Sequence, residues 1–497
     1  MTGIHFRCDA SLLIGSGHVM RCRNLARELK KRGAEITFVC RRQPGDLINL
    51  LEREFRVAAL PEQPQGECEG LVGRKLYEAW LGCTQDKDAK ETITAIESIA
   101  NYQVNWLIVD HYGLDANWEK QVVKQLQAEM NKRVRILAID DLADRSHHAD
   151  LLLDQNFFGE VTNQRYEGLL PSACRQLLGP HYALLGPEYA QLHPFVPARN
   201  DLLRVLVFFG GVDKENLSGL AIEVLMEPEF AHLAVDVVLG RQTPHRQALE
   251  ELVARRPYTT LHEPLPSLAG LLSRADLAIC ACGTTTWERA CLGLPSLVVT
   301  IAANQLPFAE ALDQYGHHKL LGDAASMTRQ QIRAAMLTRL SEPFNSDPCL
   351  ELTDGRGATR LALAMLGRQG TISLEPATFN DEGLLMHWAN APQVRTKSFS
   401  PEPITASVHS RWFHQGLSDS NRLLLIAKTA DGCPIGHIRF DRETSDAEGQ
   451  ASDAFIDLSI DPCSSGLGLE FELVRLGLQA MEQRWCNNAR PAVAKGV

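Results

Sequence analysis

The sequence predicts an α/β protein of two doubly wound halves facing one another across a cleft, with a smaller third domain after them. Three observations carry this. Short apolar segments that read as buried parallel strands recur through the first 366 residues, several ending in Asp or Gly-Gly and followed by polar loops and helical patterns. A stretch with three prolines at 187–202, PEYAQLHPFVPARNDL, breaks the rhythm and reads as a linker. From Thr371 a different pattern begins, with strand candidates close together and one long helix near the end. The domains are therefore expected at 1–186, 187–368 and 370–497.

Within the first half, the stretch 7–33 reads as a strand end, a glycine loop and an amphipathic helix. Cys22, Leu25, Ala26 and Leu29 form the apolar stripe, and Arg21, Arg23, Arg27, Lys30 and Lys31 are expected on the outer face. The helix is expected to start near Gly17. Gly15 and Gly17 permit a tight turn and close approach of a ligand to the main chain, and unpaired N–H groups at a helix start attract anions. His18 falls in the first turn, where the positive end of the helix dipole disfavours imidazolium, so a neutral, proton-accepting ring is expected near pH 7. A histidine there either hydrogen-bonds its own loop or serves as a base, and the local pattern fits both.

Strands follow at 35–40, 106–110, 134–140 and 151–154, with a helix at 118–131 and a region of low regularity before about Lys90. An open parallel sheet lines a crevice at its carboxyl edge. That edge is expected to hold Asp110, His111 and Tyr112 near the His18 loop, with Asp110 either capping the next helix, the commoner role of a strand-end aspartate, or acting in catalysis. In the second half, strands are expected at 204–209, 234–239, 277–281 and 297–300, and a helix at 354–367 closes the unit. Gly210-Gly211 follows the first of these strands, which is commonly no more than a tight turn. The turn Gly283-Thr284-Thr285-Thr286 opens a helix and offers N–H groups and hydroxyls to a diphosphate. Glu288, one turn further on, is either a capping glutamate or a partner for ribose hydroxyls. Ala302, Ala303, Asn304 and Gln305 form a polar loop toward the same crevice.

At 497 residues the chain has room for three domains, and 45% apolar with 22% charged residues is ordinary for a globular enzyme. A net charge of −11 argues against a general nucleic-acid or membrane-surface binder. No signal-peptide run or apolar stretch of ~18 residues occurs, so a cytoplasmic protein is expected. Thirteen cysteines, without CxxC pairs, read as buried free thiols. Cys280 and Cys282 alternate along a strand, and no metal is expected. Nothing in the sequence sets an oligomeric state.

Five separated segments occur in order: RCDASLLIGSGHVMRC at 7–22, LIVDHYG at 107–113, FFGGVD at 208–213, GTTTWERACLGLP at 283–295, and Asn304-Gln305. On these, residues 4–366 resemble the hydrolases of UDP-2,4-diacetamido-2,4,6-trideoxy-β-L-altropyranose in pseudaminic acid biosynthesis, a GT-B family related to the UDP-GlcNAc transferase of peptidoglycan synthesis. The resemblance implies a UDP-sugar substrate, no cofactor for hydrolysis and His18 as the catalytic base. It implies Arg7, Asp9, Gly15, Gly17, Tyr112, Asn304 and Gln305 as substrate-binding residues. Gly210, Gly211, Gly283, Thr284 and Thr285 are implied at UDP, with Glu288 on the ribose. The longer tail at 322–366 is more like the related transferases. A glycosyltransferase is the alternative reading; an exposed apolar or basic patch near the first-half loops would favour a lipid-linked acceptor, and the sequence shows no amphipathic membrane helix there.

The last domain has strand candidates at 372–377, 423–427, 434–441 and 454–461, then CSSGLG at 463–468 and a helix to about Trp485. This resembles the GNAT N-acetyltransferases, whose Gln/Arg-x-x-Gly-x-Gly/Ala loop binds the acetyl-CoA pyrophosphate. Gly466 and Gly468 match that loop, while Cys463 stands where Gln or Arg is usual. The resemblance implies possible acetyl-CoA binding and a second, 4-N-acetylating activity. With Val497 last, the domain is expected to be incomplete.

Overall fold

A computed structural model describes residues 2–63, 70–99, 104–240, 242–342, 347–367, 372–390, 392–395, 398, 400, 402–442, 452–461, 464, 468–485 and 489–492. The chain forms two compact units, Met1–Ala358 and Thr359–Val497.

The first unit holds two parallel sheets. One comprises β1 (Gly3–Cys8), β2 (Glu35–Arg41), β3 (Arg56–Leu60), β4 (Val104–Asp110), β5 (Arg135–Ile139), β6 (Leu151–Asp154) and β7 (Arg175–Leu178), in the order β3-β2-β1-β4-β5-β6-β7. The other comprises β8 (Arg204–Phe208), β9 (Ala234–Val238), β10 (Thr259–His262), β11 (Leu277–Ala281), β12 (Ser296–Thr300) and β13 (Lys319–Asp323), in the order β10-β9-β8-β11-β12-β13. Both orders reverse direction once, between β1 and β4 and between β8 and β11. Ligands in open α/β sheets lie outside the carboxyl ends of the strands at such reversals.

The helix α1 (Gly17–Lys31) starts where the pattern places it, and Cys22, Leu25, Ala26 and Leu29 are fully buried. Its outer face is less polar in use than expected: Arg27, Lys30 and Lys31 are exposed, but Arg21 and Arg23 are buried. The region 41–90 is also more regular than expected, containing β3 and the helices Gly73–Leu81 and Gln85–Ile99. The second of these carries a buried stripe of Ala89, Ile93 and Ile96 among charged residues, which masks its period in the sequence. The prolines at 187–202 do not exclude a helix either. Pro187 occupies the first turn of the helix Pro187–Leu192, where its missing N–H costs no bond, and Tyr189 is buried.

Three buried groups from adjacent elements meet at Asp88. Arg7 on β1 donates to both its oxygens at 3.1 and 2.7 Å, Arg41 on β2 donates at 2.7 Å, and the Trp118 indole N–H donates at 3.0 Å. Burial alone would raise this carboxyl, but the two guanidinium groups outweigh it and hold Asp88 at about 2.

The second unit begins inside the helix Gly357–Leu366, which was expected to close the preceding half. Leu363 of this helix packs with Ile372, Ala427 and Leu473. Its sheet comprises β14 (Ser373–Pro376), β15 (Arg422–Lys428), β16 (Pro434–Arg442), β17 (Ser452–Ile460) and β18 (Ala489–Ala492), in sequence order. The first four strands are antiparallel, and β18 runs parallel to the first residues of β17. The helix Glu470–Trp485 lies on this sheet, and a Cβ on its Gly477 would stand 2.7 Å from Ile438 Cδ1, so only glycine lets it approach β16 so closely. The helix Ala406–Ser418, with His409, Phe413 and Gly416 buried, was not anticipated. Among the described residues no helix is long and apolar enough to cross a membrane.

The Asp88 cluster makes a stability prediction. Its carboxyl titrates lower in the folded chain than the ~3.9 of an unfolded Asp, so its contribution is complete above about pH 4 and is lost as pH falls toward 2. We expect Asp88→Ala to lower the unfolding free energy by about 3–5 kcal/mol at pH 7, because two buried cations lose the carboxylate they share, Arg7 keeping Asp9 and Arg41 keeping Glu91. Urea titration at pH 7 and near pH 3 checks both statements, since the difference between wild type and variant shrinks at the lower pH.

Candidate functional site

The site grows from the reversal between β1 and β4. In that parallel pair Cys8 lies beside Asp110, which brings the last residue of β4 next to the loop leading into α1. Gly15 adopts φ +79, closing the loop with its N–H on the Ser11 carbonyl at 2.8 Å. The Ser11 hydroxyl accepts from the N–H groups of Leu13 and Ile14, at 3.2 and 3.0 Å. Leu12 and Leu13 are left about half exposed.

His18, in the first turn of α1, is buried, with Nδ1 at 2.6 Å from Asp110 Oδ1. Arg21, one turn later, forks onto the same carboxylate, Nε to Oδ2 and Nη2 to Oδ1, both at 2.7 Å. Burial opposes ionisation of Asp110, yet Arg21 and His18 together hold it well below the usual carboxylate range. An ionised carboxylate only accepts, so Nδ1 carries the hydrogen and the Nε2 lone pair is left to take a proton. Asp110 therefore does not cap the following helix, as expected from sequence; Asp115 does, accepting from the Asn117 N–H at 2.8 Å. Arg21 and Asp141 are the residues sequence reasoning missed; Asp110 was expected near the His18 loop, but not as its partner. The spacing of His18 and Arg21 on one helix face was the available signal.

Tyr112 stands edge-on to the His18 ring, centroids 4.5 Å apart, but its hydroxyl donates to Asp141 Oδ2 at 2.6 Å and the side chain is buried. Its phenol is thus engaged by the protein. The expected substrate contacts of Arg7 and Asp9 are corrected. Both are buried; Arg7 is taken up by Asp88 and Asp9, and Asp9 Oδ1 also accepts the Arg41 N–H at 2.7 Å.

Across the cleft, Gly210 adopts φ +88 after β8, and a Cβ on Gly240 would collide with the carbonyls of Gly210 and Gly211 at 2.6 and 2.4 Å. Gly283 and Thr284 precede the helix Thr285–Cys291, with Thr284 exposed. Thr285 is less free than expected, because its hydroxyl accepts from Arg289 at 3.1 Å. The two reversals meet: a Cβ on Gly17 would stand 3.3 Å from the Thr284 methyl carbon. A cavity of about 60 Å³ beside them is lined by Arg21, Asn24, Tyr189, Ser267, Thr284 and Glu288. Glu288 is half-buried there, and burial raises its carboxyl to about 7, with Glu188 adding to the rise. In the loop after β12, Asn304 is half-buried and the Gln305 amide oxygen accepts the Ile301 N–H at 2.9 Å.

The first unit is thus a pair of doubly wound sheets with their reversals in contact. UGT89C1 of Arabidopsis thaliana, solved in complex with UDP, has this fold: TM-score 0.50, 13% identity, 73% of this chain and all of that chain covered. The first unit is of the GT-B type. No family model matches the chain. It is similar to UDP-2,4-diacetamido-2,4,6-trideoxy-beta-L-altropyranose hydrolase of Campylobacter jejuni, 24% identical over 315 residues, which cover 63% of this chain and 96% of that protein. It is also similar to the spore coat polysaccharide biosynthesis protein SpsG of Bacillus subtilis, 23% identical over 355 residues, 70% of this chain and 93% of that one. The uncharacterized protein MJ1062 of Methanocaldococcus jannaschii is 24% identical over 434 residues, 84% of this chain and 78% of that one. That match is longer than the first unit.

In the second unit, Gly468 adopts φ +67 just before the helix Glu470–Trp485, while Gly466 lies outside the described residues.

The hydrogen-bond pattern makes a prediction independent of any substrate. In wild type the 15N resonances of His18 should show the proton on Nδ1. An amide at position 110 can turn its NH2 toward the ring, so Asp110→Asn is expected to move the population toward the Nε2–H form; an unchanged spectrum contradicts the arrangement.

Proposed function

We propose that the first unit hydrolyses a UDP-linked 2,4-diacetamido-2,4,6-trideoxy sugar to UDP and the free sugar, with inversion at the anomeric carbon, in a pathway of the pseudaminic acid type. The observation that carries this reading is the position of the Asp110-held His18 in the helical turn that abuts Thr284. A base thereby faces the turn in which a leaving diphosphate is expected. Water bonds to the anomeric carbon as the bond from that carbon to the phosphate oxygen breaks. The bonding pair leaves with UDP, and His18 Nε2 takes the proton of the water.

On this reading, N–H groups of Gly283, Thr284 and Thr285, with the Gly210-Gly211 turn, stabilise charge on the departing diphosphate. Glu288 holds the ribose hydroxyls. Asn304 and Gln305 approach the sugar from the loop after β12, while Gly15 and Gly17 shape the turn that brings His18 to it. Tyr112 contributes its ring edge rather than its hydroxyl. The named hydrolase among the relatives supports the choice of substrate.

A second reading, transfer to an acceptor hydroxyl, is favoured by one observation: Leu12 and Leu13 are exposed in the loop before His18, where an apolar acceptor would lie. The same imidazole would then deprotonate the acceptor. For the second unit, acetyl-CoA binding at Gly468 and an N-acetyltransferase activity are read from the antiparallel sheet and the turn preceding its long helix.

Incubation of the full chain with the UDP-sugar and no acceptor, followed by 31P NMR, tests the choice. UDP release is expected; release only after addition of a lipid or sugar acceptor rejects hydrolysis. Two variants separate chemistry from binding. We expect His18→Ala to reduce turnover about 10²- to 10⁴-fold with UDP affinity unchanged. For Glu288→Ala we expect UDP affinity to fall about tenfold or more, from loss of charge-assisted hydrogen bonds, measured by calorimetry.

A further inference from the structure

His18 does not rest on Asp110 alone. The Arg21 guanidinium that forks onto Asp110 turns its third nitrogen, Nη1, to Asp141, at 3.0 and 2.7 Å from the two carboxylate oxygens. Asp141 follows β5, and its remaining acceptor positions are filled by the Tyr112 hydroxyl at 2.6 Å and the Asn156 amide at 3.0 Å. Arg21 Nη2 also passes 3.4 Å from His18 Nδ1. A file of alternating charge, Asp110, Arg21 and Asp141, thus runs away from the imidazole, with every guanidinium nitrogen bonded and both arginine and Asp110 buried.

We propose that Arg21 and Asp141 are positioning residues that set the pH range in which His18 can accept a proton. The role of His18 as base is taken from the hydrolase reading; the charge file is not. An isolated carboxylate beside an imidazole stabilises the imidazolium and makes it slow to give up a proton. Arg21 neutralises much of that charge while aiming the carboxylate, and Asp141 in turn offsets Arg21. The other groups facing this position do not substitute for the pair. From the chain after β4, His111 is buried against Asp9 and Tyr112 is bonded to Asp141. From the second half, Thr284 is uncharged, and Glu288 lines the cavity that Arg21 also lines, of which His18 is not a lining residue.

Opposite charge deletions should therefore act with opposite sign. In Arg21→Met the midpoint of the His18 imidazole resonances, followed by NMR in the full chain without substrate, is expected to rise by about one pH unit. In Asp141→Asn it is expected to fall by a similar amount. The acid limb of the kcat/KM profile for UDP-sugar hydrolysis should move in the same two directions. Arg21→Lys, which keeps the charge but not the fork, should leave the midpoint near the wild-type value while lowering kcat. Asp141→Asn is isosteric, so if Arg21→Met does not fold, a downward move in Asp141→Asn alone supports the proposal. Midpoints that do not move, or that move the same way in both charge deletions, overturn it. Opposite NMR shifts in a protein that releases no UDP would uphold the charge file and remove the hydrolase reading.

Discussion

The contact on which the candidate site depends is the one between Asp110 and α1. A carboxylate at the buried end of a parallel strand is costly unless it is fully bonded, and Asp110 is bonded by His18 and Arg21 from a single helix face. The register of β1 against β4 puts it there, since Cys8 and Asp110 are paired and α1 follows β1 after one glycine turn. Change that register by one residue and the side chain of Asp110 would point to the opposite face of the sheet. Histidine orientation, tautomer and the burial of Arg21 all follow from this strand pairing.

The second sheet repeats the order of the first, so its own reversal offers two turns, Gly210-Gly211 and Gly283-Thr284, to the cleft. Glycine at position 17 has a different reason from glycine at 15. Gly15 is needed for its positive φ, with open space where a Cβ would be, whereas a side chain at 17 would press on Thr284. One glycine shapes the loop and the other lets the two halves meet.

Much of this was legible in the sequence. Strands made almost wholly of apolar residues, such as LAICA and LLLD, are found at the expected positions, because a parallel sheet covered on both faces favours such runs. The start of α1 was equally plain. What was not legible came from residues whose partners lie far along the chain. Arg21 and Arg23 look like solvent residues on a helical wheel, yet Asp110 and Glu54 bury them. Arg7 looks like a ligand-binding cation in a motif, and Asp88, eighty-one positions away, takes it into the sheet instead. Composition cannot distinguish a cation facing substrate from one facing a buried carboxylate; only the pairing does.

The same helix links the two ends of the cleft. His18, Arg21 and Asn24 recur every three residues along one side of α1, so they form a row about 9 Å long. His18 stands at the Thr284 turn, Arg21 lines the cavity, and Asn24 donates to the Leu184 carbonyl at 2.9 Å, just before Glu188 and Tyr189 flank Glu288. On the proposed reading, one rigid element thereby measures the distance from the reacting carbon to the ribose. A nucleotide held at Glu288 then presents its sugar to His18 without a separate device to align them, and a sliding of α1 would spoil binding and chemistry together. Burial of Cys22, Leu25, Ala26 and Leu29 on the adjoining face of the helix resists that slide, so the core stripe read first in the sequence is also what holds the active face in register.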